Sequence, residues 1–167
     1  MTARSPATKK LSAGILAYRR QDEHIEVLLV HPGGPFWRNK DEGAWSIPKG
    51  EMDGAEDPET AARREFAEEL GPAASIGPLE PLGEIRQRGG KQVIVFAGKC
   101  DFDTATLFSD TFELEWPPRS GRLQSFPEVD RAEWFDVETA RSKILFGRRS
   151  SSIGLQIFRG PSFDSKR

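Results

Sequence analysis

The chain is nearly free of cysteine, which limits both its redox chemistry and its possible metal sites. Cys100 is the single cysteine among 167 residues, so no internal disulfide can form, and a reducing compartment suits the chain. The only two histidines, His24 and His31, do not provide the Cys/His spacing of a zinc site. We interpret both histidines as ordinary surface or strand-end residues.

Long apolar runs and a strong charge of one sign are also absent. No run approaches the roughly 20 apolar residues that a membrane-spanning helix needs, and the polar N-terminus has no signal-peptide core. The net charge of −2 gives no electrostatic reason to expect nucleic acid as a partner. We expect a cytoplasmic monomer or homodimer without a membrane partner, with a disordered lead-in over residues 1–8 and a single domain over residues 9–167.

Apolar segments bounded by turn residues predict the order of the strands and helices. Six strands are predicted, at residues 11–18, 25–30, 45–48, 82–87, 92–99 and 131–136. Three helices are predicted, at residues 58–70, 137–146 and 150–158. Residues 101–125 are polar and irregular, and 104–125 could form either a lid or an interface. In this order the chain begins with strands, has one helix between strands and ends with helices. Such an order predicts an α/β fold in which a mixed sheet carries helices on its faces.

The first predicted helix carries three crowded glutamates. Asp57 fits the N-cap, Pro58 fits the first helical position, and Gly71 followed by Pro72 ends the helix. The glutamates that share one side are Glu65, Glu68 and Glu69. Because like charges this close repel, the cluster predicts a bound cation, and Mg²⁺ prefers such hard oxygen ligands.

The run from Gly50 to Pro72 resembles the Nudix box. The matching positions are Gly50, Glu56, Arg64, Glu65, Phe66, Glu68, Glu69 and Gly71. Pro72 departs from the pattern, since an aliphatic residue is usual at that packing position. The resemblance implies a Nudix-type α/β/α sandwich. It also implies an enzyme that acts on acid anhydrides, by hydrolysing a phosphoanhydride bond in a nucleoside diphosphate linked to another group.

The resemblance also implies roles for the residues of the box. Glu65 and Glu69 would be the principal ligands of Mg²⁺, for which Mn²⁺ could substitute, and Gly50 would add its carbonyl oxygen. Glu68 would bind the metal or hold the attacking water, and either Glu68 or Glu69 could be the catalytic base. Arg64 would orient a glutamate through a charge-assisted hydrogen bond, with Glu56 as its structural partner.

A further acid is expected to enter the site from outside the box. Glu128 stands six residues before Trp134, a spacing found in some members of the family, and is a candidate metal ligand or base. Weaker candidates for the same role are Glu113, Glu115 and Glu133.

Candidate substrate contacts lie on both sides of the box. Lys49, Arg86 and Arg88 could meet phosphates, although the two arginines belong to a hairpin that would carry exposed charges anyway. Trp45 and Lys49 resemble the approach to the box in diadenosine polyphosphate hydrolases. Three aromatic residues could stack a base, with core or loop packing as the alternative for the first two: Phe36, Trp37 and Trp45.

The resemblance therefore implies a nucleotide substrate and leaves three possible functions. The first is Mg²⁺-dependent hydrolysis of a dinucleoside polyphosphate or a nucleoside triphosphate. The second is hydrolysis of ADP-ribose or another sugar nucleotide. The third is nucleotide sensing without turnover, which the intact acidic cluster argues against. The absence of any tyrosine after the box weakens the diadenosine polyphosphate interpretation, because Tyr18 is the only tyrosine in the chain.

Overall fold

A computed structural model describes residues 11–86 and 91–144. Within these ranges the strands are β1 (Leu11–Gln21), β2 (His24–Pro32), β3 (Lys49–Glu51), β4 (Leu79–Arg86), β5 (Gln92–Lys99), β6 (Thr111–Glu115), β7 (Leu123–Pro127) and β8 (Val129–Asp136). The helices are α1 (Pro58–Leu70) and α2 (Val137–Lys143), with a 3₁₀ turn at Thr104–Thr106. The predicted lead-in at 1–8, Arg88 of the predicted hairpin and the predicted helix at 150–158 lie outside the described residues.

The main sheet is mixed, as predicted. Its strand order is β4-β5-β1-β2-β8, and β3 pairs with β1 off this path. The pair β1 and β5 is parallel, and the other pairs in this sheet are antiparallel. The long strand β1 pairs with β3 through residues 12–14 and with β2 through residues 18–21. This arrangement brings the start of the Gly50 segment to the middle of the sheet.

Both faces of the sheet are covered. Because side chains alternate along a strand, Ile15 and Leu16 of β1 lie in separate cores, and each is fully buried. The Ile15 core includes Phe66 of α1, whereas the Leu16 core includes Ala140 of α2. Burying one such aliphatic side chain contributes about 1.5–3 kcal/mol. The layers therefore form the predicted α/β/α sandwich.

Helix α1 begins and ends where the sequence predicts. Asp57 is the N-cap, and its side chain accepts a hydrogen bond of 3.2 Å from the Thr60 amide. Gly71 follows the helix with a φ of 100°, a conformation that favours glycine, and its N–H donates to the Ala67 carbonyl over 2.8 Å. A Cβ atom on Gly71 would also lie only 2.7 Å from the Phe108 carbonyl oxygen.

Three segments differ from the prediction. The strand expected at residues 45–48 is reduced to isolated bridges at Trp45 and Ser46, and β3 begins only at Lys49. Part of the segment expected to be irregular forms an antiparallel hairpin of β6 and β7. Helix α2 ends at Lys143 rather than continuing to residue 146. No helix within residues 11–86 and 91–144 combines the length and the apolar character that crossing a membrane requires.

His31 lies near the end of β2, as one of the two expectations had it, but it is fully buried, so the expectation of an ordinary surface residue is wrong. Its Nε2 atom lies 2.6 Å from the Lys40 carbonyl oxygen, and its Nδ1 atom lies 2.8 Å from Asp130 Oδ1. Because a carbonyl oxygen can only accept, Nε2 is the donor in the first bond. His31 therefore ties the loop after β2 to strand β8.

Candidate active site

A cleft opens where strand β3 meets the acidic side of helix α1. Its volume is roughly 410 Å³. Lysine, glycine and six acids line it: Lys49, Gly50, Glu51, Glu65, Glu68, Glu69, Asp110 and Glu128. The structure thus brings together residues that were predicted from separate segments to bind the metal or the substrate: the three box glutamates, Gly50, Lys49 and Glu128. Such a concentration of carboxylates is a surface suited to a divalent cation.

Glu65 packs directly against Gly50. A Cβ atom at position 50 would overlap with the carboxylate of Glu65, so only glycine allows this approach. Burial raises the pKa of Glu65, and the nearby carboxylate of Glu68 adds to that effect while Arg64 opposes it. The absence of a side chain at Gly50 therefore lets a carboxylate reach the backbone of β3.

Arg64 holds the acids of the box in place. Its Nε and Nη2 atoms donate to the two carboxylate oxygens of Glu56, each over 3.0 Å. Its Nη1 atom donates to Glu65 over 2.8 Å and to Glu68 over 3.3 Å. The bidentate bond to Glu56 is the main reason that the pKa of Arg64 lies above its usual range. One guanidinium therefore anchors the loop before the helix and orients two carboxylates in the cleft.

Glu69 lies at the base of the cleft, where its charge is poorly compensated. Burial raises its pKa to about 8, and Glu65 and Glu128 add to this effect. Lys49 opposes the shift through its charge and through its backbone N–H, which lies 3.3 Å from Glu69 Oε2. Burial in turn lowers the pKa of Lys49. An additional cation in the cleft would therefore stabilise the ionised form of Glu69.

Glu128 faces this cluster from the junction between β7 and β8. Its carbonyl oxygen accepts from the Gly33 N–H over 2.9 Å, and its own N–H donates to the Asp110 carbonyl over 2.8 Å. Three other glutamates were weaker candidates for the additional metal ligand or base, and they are not among the residues that line the cleft: Glu113, Glu115 and Glu133. The backbone bonds on both sides of Glu128 explain how a loop residue is held at a defined position.

Two acids of the cleft were not predicted from the sequence. Asp110 enters because residues 108–110 dock on the end of α1, where the Phe108 and Asp110 N–H groups donate to the Leu70 and Glu68 carbonyls over 3.0 and 3.1 Å. No local pattern marks this docking. Glu51 also lines the cleft, and its position directly after Gly50 was a signal that could have been used.

Two predicted substrate contacts, Trp45 and Arg86, are not among the residues that line the cleft. Trp45 is only 1% exposed and belongs to the core, where its Nε1 atom donates to Asp41 over 2.8 Å. Its predicted base-stacking role is therefore wrong, because both the apolar surface and the donor are already used inside the protein. Arg86 ends β4 opposite Gln92 and is not among the residues that line the cleft. Arg88 lies outside the described residues.

A more apolar pocket of roughly 230 Å³ adjoins the cleft. Three residues border both spaces: Lys49, Glu69 and Glu128. The remaining wall is mostly apolar and contains Val30, Pro32, Trp37, Ala44, Ser46, Ile47 and Val129. Trp37 is thus placed where it can contact a planar ligand, with the Lys40 ammonium 5.0 Å from the centre of its ring. An apolar pocket next to a polar cleft suits a ligand with one apolar and one charged end.

The donor types in the cleft fit a hard divalent cation. Carboxylates and the Gly50 carbonyl provide oxygen ligands only, as Mg²⁺ prefers. Across residues 11–86 and 91–144, however, no three His, Cys, Asp or Glu side chains form a ready-made metal-binding group. Arg64 engages Glu65 and Glu68 in this arrangement. The bond to Glu65 is made by its Oε1 atom, so Oε2 can bind a cation while Arg64 holds the carboxylate in place.

Comparison with known proteins identifies the family. A model of the NUDIX domain matches residues 8–152. An RNA pyrophosphohydrolase from Rhodospirillum rubrum is 39% identical over 146 residues, covering 81% of this chain and 82% of the relative. The fold resembles a Caenorhabditis elegans Ap4A hydrolase with a TM-score of 0.56 and 23% identity, covering 90% of this chain and 96% of that one. A NUDIX hydrolase from Nitrosomonas europaea also has a TM-score of 0.56, with 19% identity and 91% and 89% coverage. The chain therefore belongs to the Nudix family and is a pyrophosphohydrolase.

Proposed function

We propose that this enzyme uses Mg²⁺ to hydrolyse a phosphoanhydride bond in a nucleoside 5′-polyphosphate. The observation that carries this proposal is the shared wall formed by Lys49, Glu69 and Glu128 between the carboxylate cleft and the apolar pocket. A nucleobase bound in the apolar pocket would place the attached phosphates next to the carboxylates of the cleft, where a metal-assisted reaction can take place. The nucleobase would therefore contribute binding energy, and the residues of the cleft would carry out the reaction.

In this proposal Glu65, Glu69 and the Gly50 carbonyl would hold the metal, and Glu68 would either add a further ligand or hold the attacking water. When bound, Mg²⁺ neutralises phosphate charge and lowers the pKa of a water molecule. Mn²⁺ satisfies the same oxygen ligands and can substitute.

The chain's own groups position the substrate and move the proton. Lys49 lies at the boundary of the two spaces, where its ammonium group can contact a phosphate oxygen. Glu68 and Glu128 both line the cleft and are the candidates for accepting the proton of the attacking water. Arg64 keeps Glu65 and Glu68 oriented, so its role is to position the reacting groups rather than to react.

Two substrate classes are supported by different observations. A dinucleoside polyphosphate is consistent with the pocket beside the cleft and with the resemblance of the Lys49 approach to the box in diadenosine polyphosphate hydrolases. An RNA with a 5′-triphosphate is favoured by the relative named as an RNA pyrophosphohydrolase. This second class would revise the expectation that nucleic acid is not a partner. Sugar nucleotides remain the alternative substrate, and the intact acids continue to argue against sensing without turnover.

A substrate panel tests the proposal. Diadenosine tetraphosphate, ATP, ADP-ribose and a 5′-triphosphorylated oligoribonucleotide would each be incubated with the enzyme and Mg²⁺, and the products separated by chromatography. We expect cleavage of a phosphoanhydride bond in at least one of three compounds: diadenosine tetraphosphate, ATP or the triphosphorylated oligoribonucleotide. Glu69→Gln, verified as folded by circular dichroism, should lose several orders of magnitude in kcat. The absence of turnover of every compound with both Mg²⁺ and Mn²⁺ would refute the proposal.

A further inference from the structure

The side chain of Ser109 links its own loop to the start of strand β8. Ser109 lies between the 3₁₀ turn and β6, and the proposed reaction gives it no role. Its hydroxyl group donates to the Asp110 carbonyl over 2.8 Å and accepts from the Val129 N–H over 3.0 Å. A hydroxyl group has one proton to donate and lone pairs that accept, so it can make both bonds at once.

The main chain of the same loop holds Glu128. The Glu128 N–H donates to the Asp110 carbonyl over 2.8 Å, so this oxygen accepts from both Glu128 and Ser109. Two successive N–H groups, those of Glu128 and Val129, therefore bind the loop, and the second does so through the Ser109 hydroxyl. Two bonds fix the orientation of a segment, whereas one bond lets it turn. Val129 is only 4% exposed, so water has little room to replace the hydroxyl.

The loop is in turn fastened to helix α1. The N–H groups of residues 108 and 110 donate to the Leu70 and Glu68 carbonyls over 3.0 and 3.1 Å. This last turn of the helix also carries Glu69. A continuous series of hydrogen bonds thus runs from the end of α1 through Ser109 to the junction of β7 and β8.

This series joins acids that lie on separate elements of the fold. Glu128 and Glu69 border both the cleft and the apolar pocket, although one belongs to a strand junction and the other to α1. The two carboxylates are close enough for the charge of Glu128 to contribute to the raised pKa of Glu69. Because a displacement of about 1 Å can cost about 100-fold in rate, their relative position is important for turnover.

We propose that Ser109 is a positioning residue whose hydroxyl group sets the place of Glu128 relative to Glu68 and Glu69. This inference rests on the proposed function, in which Glu128 is a metal ligand or the base. Ser109 is not among the residues that line the cleft, so it acts through Glu128 and not by contact with the substrate.

Kinetics of variants at position 109 test the need for the hydroxyl group. In Ser109→Ala we expect kcat to fall about tenfold, the lower end of the usual effect of losing a group that orients an active-site residue. KM should change little, because the apolar pocket and Lys49 are retained. Ser109→Thr keeps a hydroxyl group and should restore kcat. Ser109→Cys is similar in size but bonds weakly, and should behave like Ser109→Ala.

Ser125→Ala is the matched control. Ser125 is exposed and lies opposite Glu113 in the β6–β7 hairpin. The substitution removes the same hydroxyl group from a nearby strand, and kcat should not change.

A double-mutant cycle separates positioning of Glu128 from a general structural role. Once Glu128→Gln has removed the reacting group, adding Ser109→Ala should lower kcat little further, because the two substitutions act through one side chain. An equal fall in kcat when Ser109→Ala is made in the wild-type enzyme and in Glu128→Gln would overturn the proposal.

Amide hydrogen exchange measured by NMR keeps this inference separate from the proposed function. We expect the Glu128 and Val129 amides to exchange about fivefold faster in Ser109→Ala than in wild-type protein, as expected for loss of one hydrogen bond. In Ser109→Thr and Ser125→Ala they should exchange at the wild-type rate. If this pattern is found but no substrate is hydrolysed, Ser109 still sets the place of Glu128 and the proposed function fails. If substrate is hydrolysed but both amides exchange equally in every variant, the positioning role is refuted.

Discussion

The carboxylate of Glu65 lies directly against the α-carbon of Gly50, in the space that any other residue would fill with its Cβ atom. We therefore expect Gly50→Ala to push Glu65 out of the cleft and to lower kcat by about 100-fold, as a displacement of about 1 Å can do. Steady-state kinetics would measure the loss. Gly77→Ala is the control, because its nearest neighbour would be the Lys99 carbonyl at an ordinary 3.8 Å. Similar kcat values for the two variants would contradict the assignment of Glu65.

Arg64→Lys should lower activity although the charge is retained. A lysine cannot reproduce the two bonds of 3.0 Å to Glu56 while also contacting Glu65. We expect kcat to fall roughly 10–100-fold, the usual effect of losing a residue that orients a metal ligand. Arg63→Lys is the control, since Arg63 contacts the Ile76 and Gly77 carbonyls. An Arg64→Lys enzyme with normal kcat would show that this orientation is not needed.

Binding of Mg²⁺ should release a proton at neutral pH. The raised pKa of Glu69, about 8, leaves its carboxyl group mostly protonated until a cation binds. Titration calorimetry in buffers with different ionisation enthalpies would count the released protons. We expect Mg²⁺ affinity to increase as the pH rises towards 8 and the release to disappear in Glu69→Gln. Release that is unchanged in Glu69→Gln would assign the proton to another group.

The stability of the metal-free protein should also depend on the ionisation of Glu69. Because its pKa is raised from 4.5 to about 8 on folding, the folded state favours the protonated form. The stability from this group is present below pH 4.5, is lost progressively above it, and is fully lost above about 8. Urea unfolding with a chelator across this range would measure the loss, which Glu69→Gln should reduce. A metal-free protein that is equally stable at both ends of the range would contradict the raised pKa of Glu69.

Glu128→Gln should affect both the reaction and the ionisation of its neighbour. As a metal ligand or base, Glu128 should contribute about 10²–10⁴-fold to kcat. Its charge also raises the pKa of Glu69, so the variant should release less than the wild-type quantity of protons on binding Mg²⁺. Glu113→Gln, on the exposed side of β6, is the control and should change neither measurement. Loss of activity in both variants alike would point to a general charge effect.

The acidic helix could be predicted from the sequence because its determinants are local. The Asp57 cap, Pro58 and Gly71 act within a few residues of the helix ends, and the structure confirms the helix between them. The mixed sheet could be predicted for a similar reason, since the apolar strands are continuous segments. Glu128 was found only through its spacing from Trp134, and its role as ligand or base remains a prediction.

The rest of the site depends on contacts between distant segments. Asp110 reaches the cleft only because its N–H binds the end of α1, and nothing near Asp110 in the sequence signals that bond. Trp45 looked like a base-stacking residue, yet the α2 side of the sheet encloses it in the core. His31 is buried through partners nine and 99 positions away, which no local pattern predicts. These positions are determined by tertiary packing rather than by local propensity.

Docking of residues 108–110 on the last carbonyl groups of α1 couples the stability of the fold to the arrangement of the cleft. The same two hydrogen bonds satisfy the open end of a helix and set where the side chain of Asp110 enters the cleft. A one-residue deletion between Thr106 and Asp110 should therefore impair folding and turnover together.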